Sequence, residues 1–272
     1  MNTRPALDDL IRLAIAAGVE IMQVRDEGCV AMDKSDGSPV TIADQRAEAL
    51  IEAGLKRLAP DVPMIGEESV SAGRIPEPGA HFFCVDPIDG TRDFLIESGE
   101  FTVNIALIED ATPVVGVIFA PATGDLYAGE PGRALKAQFD GRTGEMRAPP
   151  KPVHAGAAPQ GPWRVIASRR SGKNAATDAF IEKLGESERL SSSSSIKFCR
   201  LAEGAADIYP RFGDVNEWDI AAGHAILSAA GGGLMQLDGS PFRYGGRAGS
   251  FLVHGFIAFA SAAAASAART AL

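Results

Sequence analysis

Cysteine is scarce in this 272-residue chain: Cys29, Cys84 and Cys199 are the three. They lie far apart, with no C-x-x-C pair and no histidine at metal-ligand spacing, which argues against a thiolate metal site. That usage suits a reducing compartment, with the thiols acting as small buried apolar groups. A cytoplasmic location is therefore expected, with peripheral association at the inner membrane as the alternative. Basic residues are also in deficit: 26 Lys+Arg against 35 Asp+Glu leave a net charge of −9. Such a chain is a poor match for a nucleic-acid polymer or an anionic membrane surface. An anionic ligand would need cations supplied locally by a few side chains or by bound metal. The N-terminal stretch carries Asp8 and Asp9 and does not read as a signal peptide. The apolar segment 251–272 is interrupted by His254, Gly255 and Arg269, and its alanines and serines are weak insertion drivers. It reads as a buried strand followed by an alanine-rich tail, and no stable membrane insertion is expected.

The chain has 46% apolar and 22% charged residues, enough to bury a sizeable core. Leu7, Leu10, Ile11, Ala14, Ile15, Val19 and Met22 recur at helical spacing and predict a helix over 5–25. Ile42, Ala47, Leu50, Ile51, Leu55 and Leu58 predict a second, capped by Thr41. Short apolar runs follow at 62–65, 82–85, 101–108 and 114–120, the last two reading as a hairpin. Residues 148–162 are proline-rich and aperiodic, the best candidate for a boundary. Strand-like and helix-like segments then alternate, which argues for an α/β second half. The serine run 191–195 reads as a polar connector. The expectation is an α+β half over 1–150 and an α/β half over 160–272, which can also count as one domain.

The chemistry concentrates in Phe82-Phe-Cys-Val-Asp86-Pro-Ile-Asp89-Gly90-Thr91. An apolar strand ends in two carboxylates three residues apart, then a glycine and a hydroxyl. Carboxylates on a rigid strand end can hold a hard cation such as Mg²⁺, which demands near-octahedral oxygen coordination. Gly90 and Thr91 offer backbone N–H groups where a helix begins, a natural phosphate cradle. An Asx turn with helix capping is the simpler alternative. Glu67 and Glu68 end another short apolar run and could equally be solvated loop acids. Asp219 follows Trp218 at the start of an apolar helix, where a first-turn acid is ordinary. Asp44 lies three residues after Thr41, the spacing of a capping box. Gly172-Lys173 lacks the earlier glycine of a P-loop, and Ser168 lacks a G-x-S-x-G elbow.

With Gly66-Glu-Glu68 upstream and Trp218-Asp-Ile-Ala-Ala-Gly-His224 downstream, Asp86-Pro-Ile-Asp-Gly-Thr91 resembles the inositol-monophosphatase superfamily of metal-dependent, lithium-sensitive phosphatases. Gly99–Ile108 and Ser194–Gly213 resemble its 3′(2′),5′-bisphosphate nucleotidase branch, and the likeness covers most of the chain from about residue 34. The resemblance implies layers of helix, sheet, helix, sheet, helix, with the active site between the two halves. It implies two Mg²⁺ ions, with a third, weaker one near Glu68. Glu67, Asp86, the carbonyl of Ile88, Asp89 and Asp219 match the family's metal ligands. Asp44 and Thr91 match the pair that orients the attacking water, and Glu68 an acid touching a metal-held water. Gly90 and Thr91 match the phosphate cradle. Ser194, Lys197 and Arg211 match positions that hold the nucleotide and its second phosphate, and Glu67, Asp89 and Asp219 also face the substrate.

Arg92-Asp93 stands where many of the branch have lysine then glutamate, and Ser168-Arg-Arg-Ser-Gly172 where S-R-S-H is common, so a base-contacting histidine is missing. The segment 121–162 carries no likeness. The expected activity is removal of the 3′-phosphate of adenosine 3′,5′-bisphosphate, giving AMP, with a role in sulfur metabolism implied by resemblance alone. An inositol monophosphatase or sugar bisphosphatase on the same metal core is the near alternative. A non-catalytic metal- or nucleotide-binding regulator is the remote one. A monomer or a homodimer suits either enzyme.

Overall fold

The computed structural model describes residues 4–28, 32–33, 39–96, 99–169, 174–246 and 250–272. Helix α1 (Leu7–Glu27) and helix α2 (Ile42–Leu58) form where the periodicity predicts them. Thr41 caps α2, its hydroxyl accepting from the Ala43 N–H at 3.1 Å. A short helix α3 (Glu67–Ser71) follows strand β1 (Met64–Gly66). Strand β2 (His81–Asp89) leads into helix α4 (Thr91–Leu95). Strands β3 (Thr102–Glu109), β4 (Thr112–Ala120), β5 (Asp125–Glu130), β6 (Arg133–Phe139) and β7 (Met146–Pro152) complete a seven-stranded sheet in chain order. Only the β1–β2 pair within it is parallel.

The second sheet comprises β8 (Trp163–Ser168), β9 (Ser187–Ser192), β10 (Ile208–Arg211), β11 (Gly233–Met235) and β12 (Phe256–Phe259), in the order β9-β8-β10-β12-β11. Helices α5 (Ala175–Leu184), α6 (Ile196–Ala202), α7 (Glu217–Ala229) and α8 (Ala262–Ala271) complete the chain.

Both faces of β2, β3 and β4 are buried, which is why these strands read as apolar runs. Phe83, Val85, Val103, Ile105, Leu107, Val115 and Val117 join the α1/α2 side. Phe82, Cys84, Ala106, Ile108 and Ile118 point the other way, into a core shared with α6, α7 and one face of the second sheet. Val165, Ile208 and Ile257 from the far face of that sheet pack with Phe180 and Ile181 of α5 and with Ala264 and Ala268 of α8. The layers are therefore helix, sheet, helix, sheet, helix, as expected.

The middle layer fixes the site. Helix α7 is apolar on nearly all sides because sheets enclose it. It approaches the first sheet through glycines: a Cβ on Gly116 would lie 2.3 Å from the Ala222 carbonyl oxygen, and one on Gly129 would lie 2.7 Å from the Ile226 Cα. Backbone cannot yield as a side chain does, so Gly116→Ala should cost about 1–3 kcal/mol. The expected drop in Tm is about 2–12 °C, read by calorimetry. An unchanged Tm would mean that α7 does not rest on β4.

Three sequence expectations need correction. The segment 121–162 contains three strands, β5 to β7, where no structure was read. Residues 148–152 of the proline-rich stretch 148–162 belong to the edge strand β7, which tolerates its prolines because an edge needs no ladder donors on its outer side. The serine run is no plain connector: Ser191 and Ser192 end β9, and Ser193 and Ser195 are buried. Cys84 and Cys199 are free and buried as expected, while Cys29 lies outside the described residues. Among the described residues, no helix is long and apolar enough to cross a membrane.

Candidate active site

The acids predicted from four separate stretches meet between the two sheets. Asp86, Asp89 and Asp219 each bring a carboxylate oxygen within 4.8 Å of the others. Asp86 and Asp89 come from the end of β2, and Asp219 from the first turn of α7. The simpler readings hold too. Asp86 Oδ1 accepts from the Ile88 N–H at 2.9 Å, and Asp219 Oδ2 accepts from the Asn216 N–H at 2.8 Å. Each acid spends lone pairs on its own turn, which fixes its rotamer, and still faces the cluster.

Crowding and burial raise the affinity of these acids for protons. Burial holds Asp86 well above the usual carboxylate range, and Glu67, Asp89, Asp219 and Asp44 push the same way. Asp219 is driven up to about 8 by burial and then by Asp89 and Glu67. Burial also raises Asp89, against the opposing pull of Lys197 and the Ser195 hydroxyl. An all-oxygen set of mutually repelling carboxylates fits a hard divalent cation, whose charge would remove the cost of ionising them together.

Asp44 is both a capping partner and a site residue. Its Oδ2 accepts from the Thr41 N–H and hydroxyl, each at 2.7 Å, while its Oδ1 lies 3.3 Å from the Thr91 hydroxyl. That hydroxyl is also 3.2 Å from the Ile88 carbonyl. Gly90 precedes Thr91 with φ +94°, and a Cβ there would sit 3.2 Å from the Glu100 carbonyl oxygen, so the turn requires glycine.

A cleft of about 450 Å³ opens over this floor. Glu67, Asp89, Gly90, Thr91, Asp219, Ser194, Lys197 and Arg211 are among the residues that line it. Asp44 and Asp86, each 1% exposed, lie beneath the lining. Glu68 does not line the cleft; it neighbours Glu67 in α3. Arg211 is held by the carbonyls of Gly213 at 3.1 Å and Asp214 at 2.9 Å. Lys197 is nearly buried, donates to the Ser194 carbonyl and lies over the Tyr209 ring. Burial lowers it to about 8, against the opposing pull of Asp89. The departures Arg92, Asp93 and Ser168 also line the cleft, whereas 170–173 lie outside the described residues.

Three residues escaped the sequence reading. Glu48 is buried and accepts from the Glu68 N–H, the Ser69 N–H and the Ser69 hydroxyl at 2.7, 2.7 and 2.6 Å, anchoring α3 beneath Glu67. A Cβ on Gly66 would collide with it at 2.7 Å. Its spacing of four from Asp44 puts both on one helix face, which was a usable signal. Asn104, a lone amide in an apolar strand, was another. Ser195 gave none beyond its place in the serine run.

The layered fold and the acid-floored cleft define an α/β protein built to gather carboxylates between two sheets. The inositol monophosphatase family pattern matches residues 3–269, and the chain belongs to that family. It is 42% identical over 253 residues to the 3′(2′),5′-bisphosphate nucleotidase CysQ of Escherichia coli strain K12, covering 92% of this chain and 98% of that protein. A fructose-1,6-bisphosphatase/inositol-1-monophosphatase of Aquifex aeolicus is 29% identical over 255 residues, 92% of each. The crystal structure of CysQ from Bacteroides thetaiotaomicron superposes with a TM-score of 0.77 at 34% identity, covering 93% of this chain and 96% of that one.

Proposed function

We propose that this chain is a Mg²⁺-dependent phosphatase that hydrolyses the 3′-phosphate of adenosine 3′,5′-bisphosphate to AMP and phosphate. The observation that carries the reading is the meeting of Asp86, Asp89 and Asp219 at the floor of a cleft that Lys197 and Arg211 also line. In this reading Glu67, Asp86, the Ile88 carbonyl, Asp89 and Asp219 would hold two cations, and a third, weaker one would sit near Glu68. Cations bound there neutralise the phosphoryl charge and acidify the attacking water.

The chain's own residues set the geometry of attack. The Thr91 hydroxyl has one proton, and the Asp44 carboxylate is the charged acceptor in reach. With that proton directed to Asp44, a Thr91 lone pair is left to accept from the water and aim it at phosphorus. Gly90 and Thr91 present backbone N–H groups to the phosphoryl oxygens, while Ser194, Lys197 and Arg211 hold the rest of the nucleotide and its 5′-phosphate. No Cys, Ser or His of the sequence stands in a nucleophile motif, so the reading needs no covalent phosphoenzyme and takes the water as the attacking group.

The test is phosphate release from a panel of nucleotide, inositol and sugar phosphates, with and without Mg²⁺. Release should need the metal and be fastest with adenosine 3′,5′-bisphosphate. A preference for an inositol or sugar phosphate would transfer the reading to the near alternative, and no release from any would leave a binding protein.

A pH dependence follows. Asp219 at about 8 in the fold against about 3.9 in the unfolded chain means that the cation-free fold holds a proton the unfolded chain has lost. Cation-free stability therefore falls as pH rises between those values and levels off above about 8. Mg²⁺ binds the deprotonated acids, so the rise in Tm on adding Mg²⁺ should grow from about pH 6 to about pH 9. A Mg²⁺ effect independent of pH would remove the acids from the cation site.

A further inference from the structure

One hydroxyl joins the segments that carry the acids. Ser195 Oγ accepts from Asn104 Nδ2 at 2.8 Å and lies 2.7 Å from Asp89 Oδ2 and 2.9 Å from the main-chain carbonyl of Asp219. Ser195 is 2% exposed and Asn104 fully buried, so water does not compete for these bonds. A hydroxyl donates a single proton. Its two candidate acceptors differ: the Asp219 carbonyl is neutral and belongs to a helical turn, whereas Asp89 is a carboxylate. Hydrogen bonds to an ionised acceptor are roughly twice as strong as neutral ones, so the proton goes to Asp89. That choice orients Asn104 as well, since only its NH₂ group can face an oxygen whose proton is already committed.

We infer that Ser195, aimed by Asn104 from β3, is a positioning residue that locks the Asp89 carboxylate in one rotamer. The inference rests on the reading that Asp89 and Asp219 hold a divalent cation. Asp89 is one of the three clustered acids, so fixing its rotamer fixes one corner of the cation site. Outer hydrogen-bond partners of metal ligands act in this way, and losing one costs about 10–100-fold in metal affinity.

The test is Mn²⁺ binding to the purified full chain, with free Mn²⁺ followed by electron paramagnetic resonance and the metal-free Tm recorded beside it. Ser195→Ala should bind Mn²⁺ about 10–100-fold more weakly than the unaltered protein. Ser195→Thr, which keeps the hydroxyl, should recover affinity even where its extra methyl lowers Tm, an outcome that loss of packing would not produce. Mn²⁺ binding that Asp89→Asn abolishes and Ser195→Ala leaves intact would overturn the role of Ser195 alone. Absence of Mn²⁺ binding by the unaltered protein would overturn the cation site and this inference together. Should Ser195→Ala fail to fold, Asn104→Leu removes the donor that aims the hydroxyl and decides the question in the same way: weaker Mn²⁺ supports the role, equal Mn²⁺ ends it.

Discussion

Asp219→Asn should yield a protein that is more stable without metal and nearly inactive. Asparagine keeps an oxygen for the Asn216 N–H bond that fixes the side chain, so the local turn survives. The lost charge is a different matter. Cation stabilisation of a phosphoryl transition state is worth several kcal/mol. At 1.36 kcal/mol per tenfold, kcat for adenosine 3′,5′-bisphosphate should fall by about 10³-fold or more. In the cation-free fold the same carboxylate is a liability, since Asp89 and Glu67 repel it and burial strips its water. Neutralising it should therefore raise the metal-free Tm, more at about pH 9 than at about pH 7, because near neutrality Asp219 already carries a proton much of the time. Calorimetry and phosphate release on one preparation check both halves. Retained activity would show that the acid of α7 is not part of the catalytic floor.

Arg211→Ala is the second large effect, and it separates substrates instead of abolishing turnover. The guanidinium lines the cleft and is pinned to the carbonyls of Gly213 and Asp214. A charged hydrogen bond to a phosphate is worth about 1.5–3 kcal/mol, or about 10–150-fold. KM for the bisphosphate should rise by that factor while kcat changes little. KM for a nucleotide bearing only the 3′-phosphate should stay near its original value, since its second anchor was never there. Equal rises for both substrates would move Arg211 out of 5′-phosphate recognition. A fall in kcat would instead place it at the reacting phosphoryl group.

The order of elements was largely legible because each long run carried one clear period. Leu10, Ala14, Ala17 and Ile21 mark one face of α1, and the strands at 82–85, 101–108 and 114–120 read as apolar runs because both their faces are covered. Strands β6 and β7 were hidden for the opposite reason. Arg133, Gln138 and most of Met146–Pro152 face solvent toward the sheet's edge, so their pattern resembles a loop. The serine run misled because serine is polar wherever it stands. Only the neighbours of Ser195 reveal that its hydroxyl is buried against a carboxylate.

Chemistry followed the same division. The pair Asp86 and Asp89, the glycine with φ +94° and the capping spacing from Thr41 to Asp44 are local facts, fixed by turns of a few residues and readable as such. The acids' convergence is not local. It depends on Gly116 and Gly129 letting α7 lie directly on the first sheet, on Glu48 holding α3 beneath Glu67, and on Ser195 fixing the Asp89 carboxylate. The sequence by itself determined which side chains were available and how each would sit in its own turn, because those choices are made by neighbouring backbone groups. Only the tertiary structure decided that carboxylates from residues 86, 89 and 219 would share one small volume. Close packing of elements far apart in the chain forces that approach, at a cost in repulsion that no local pattern records.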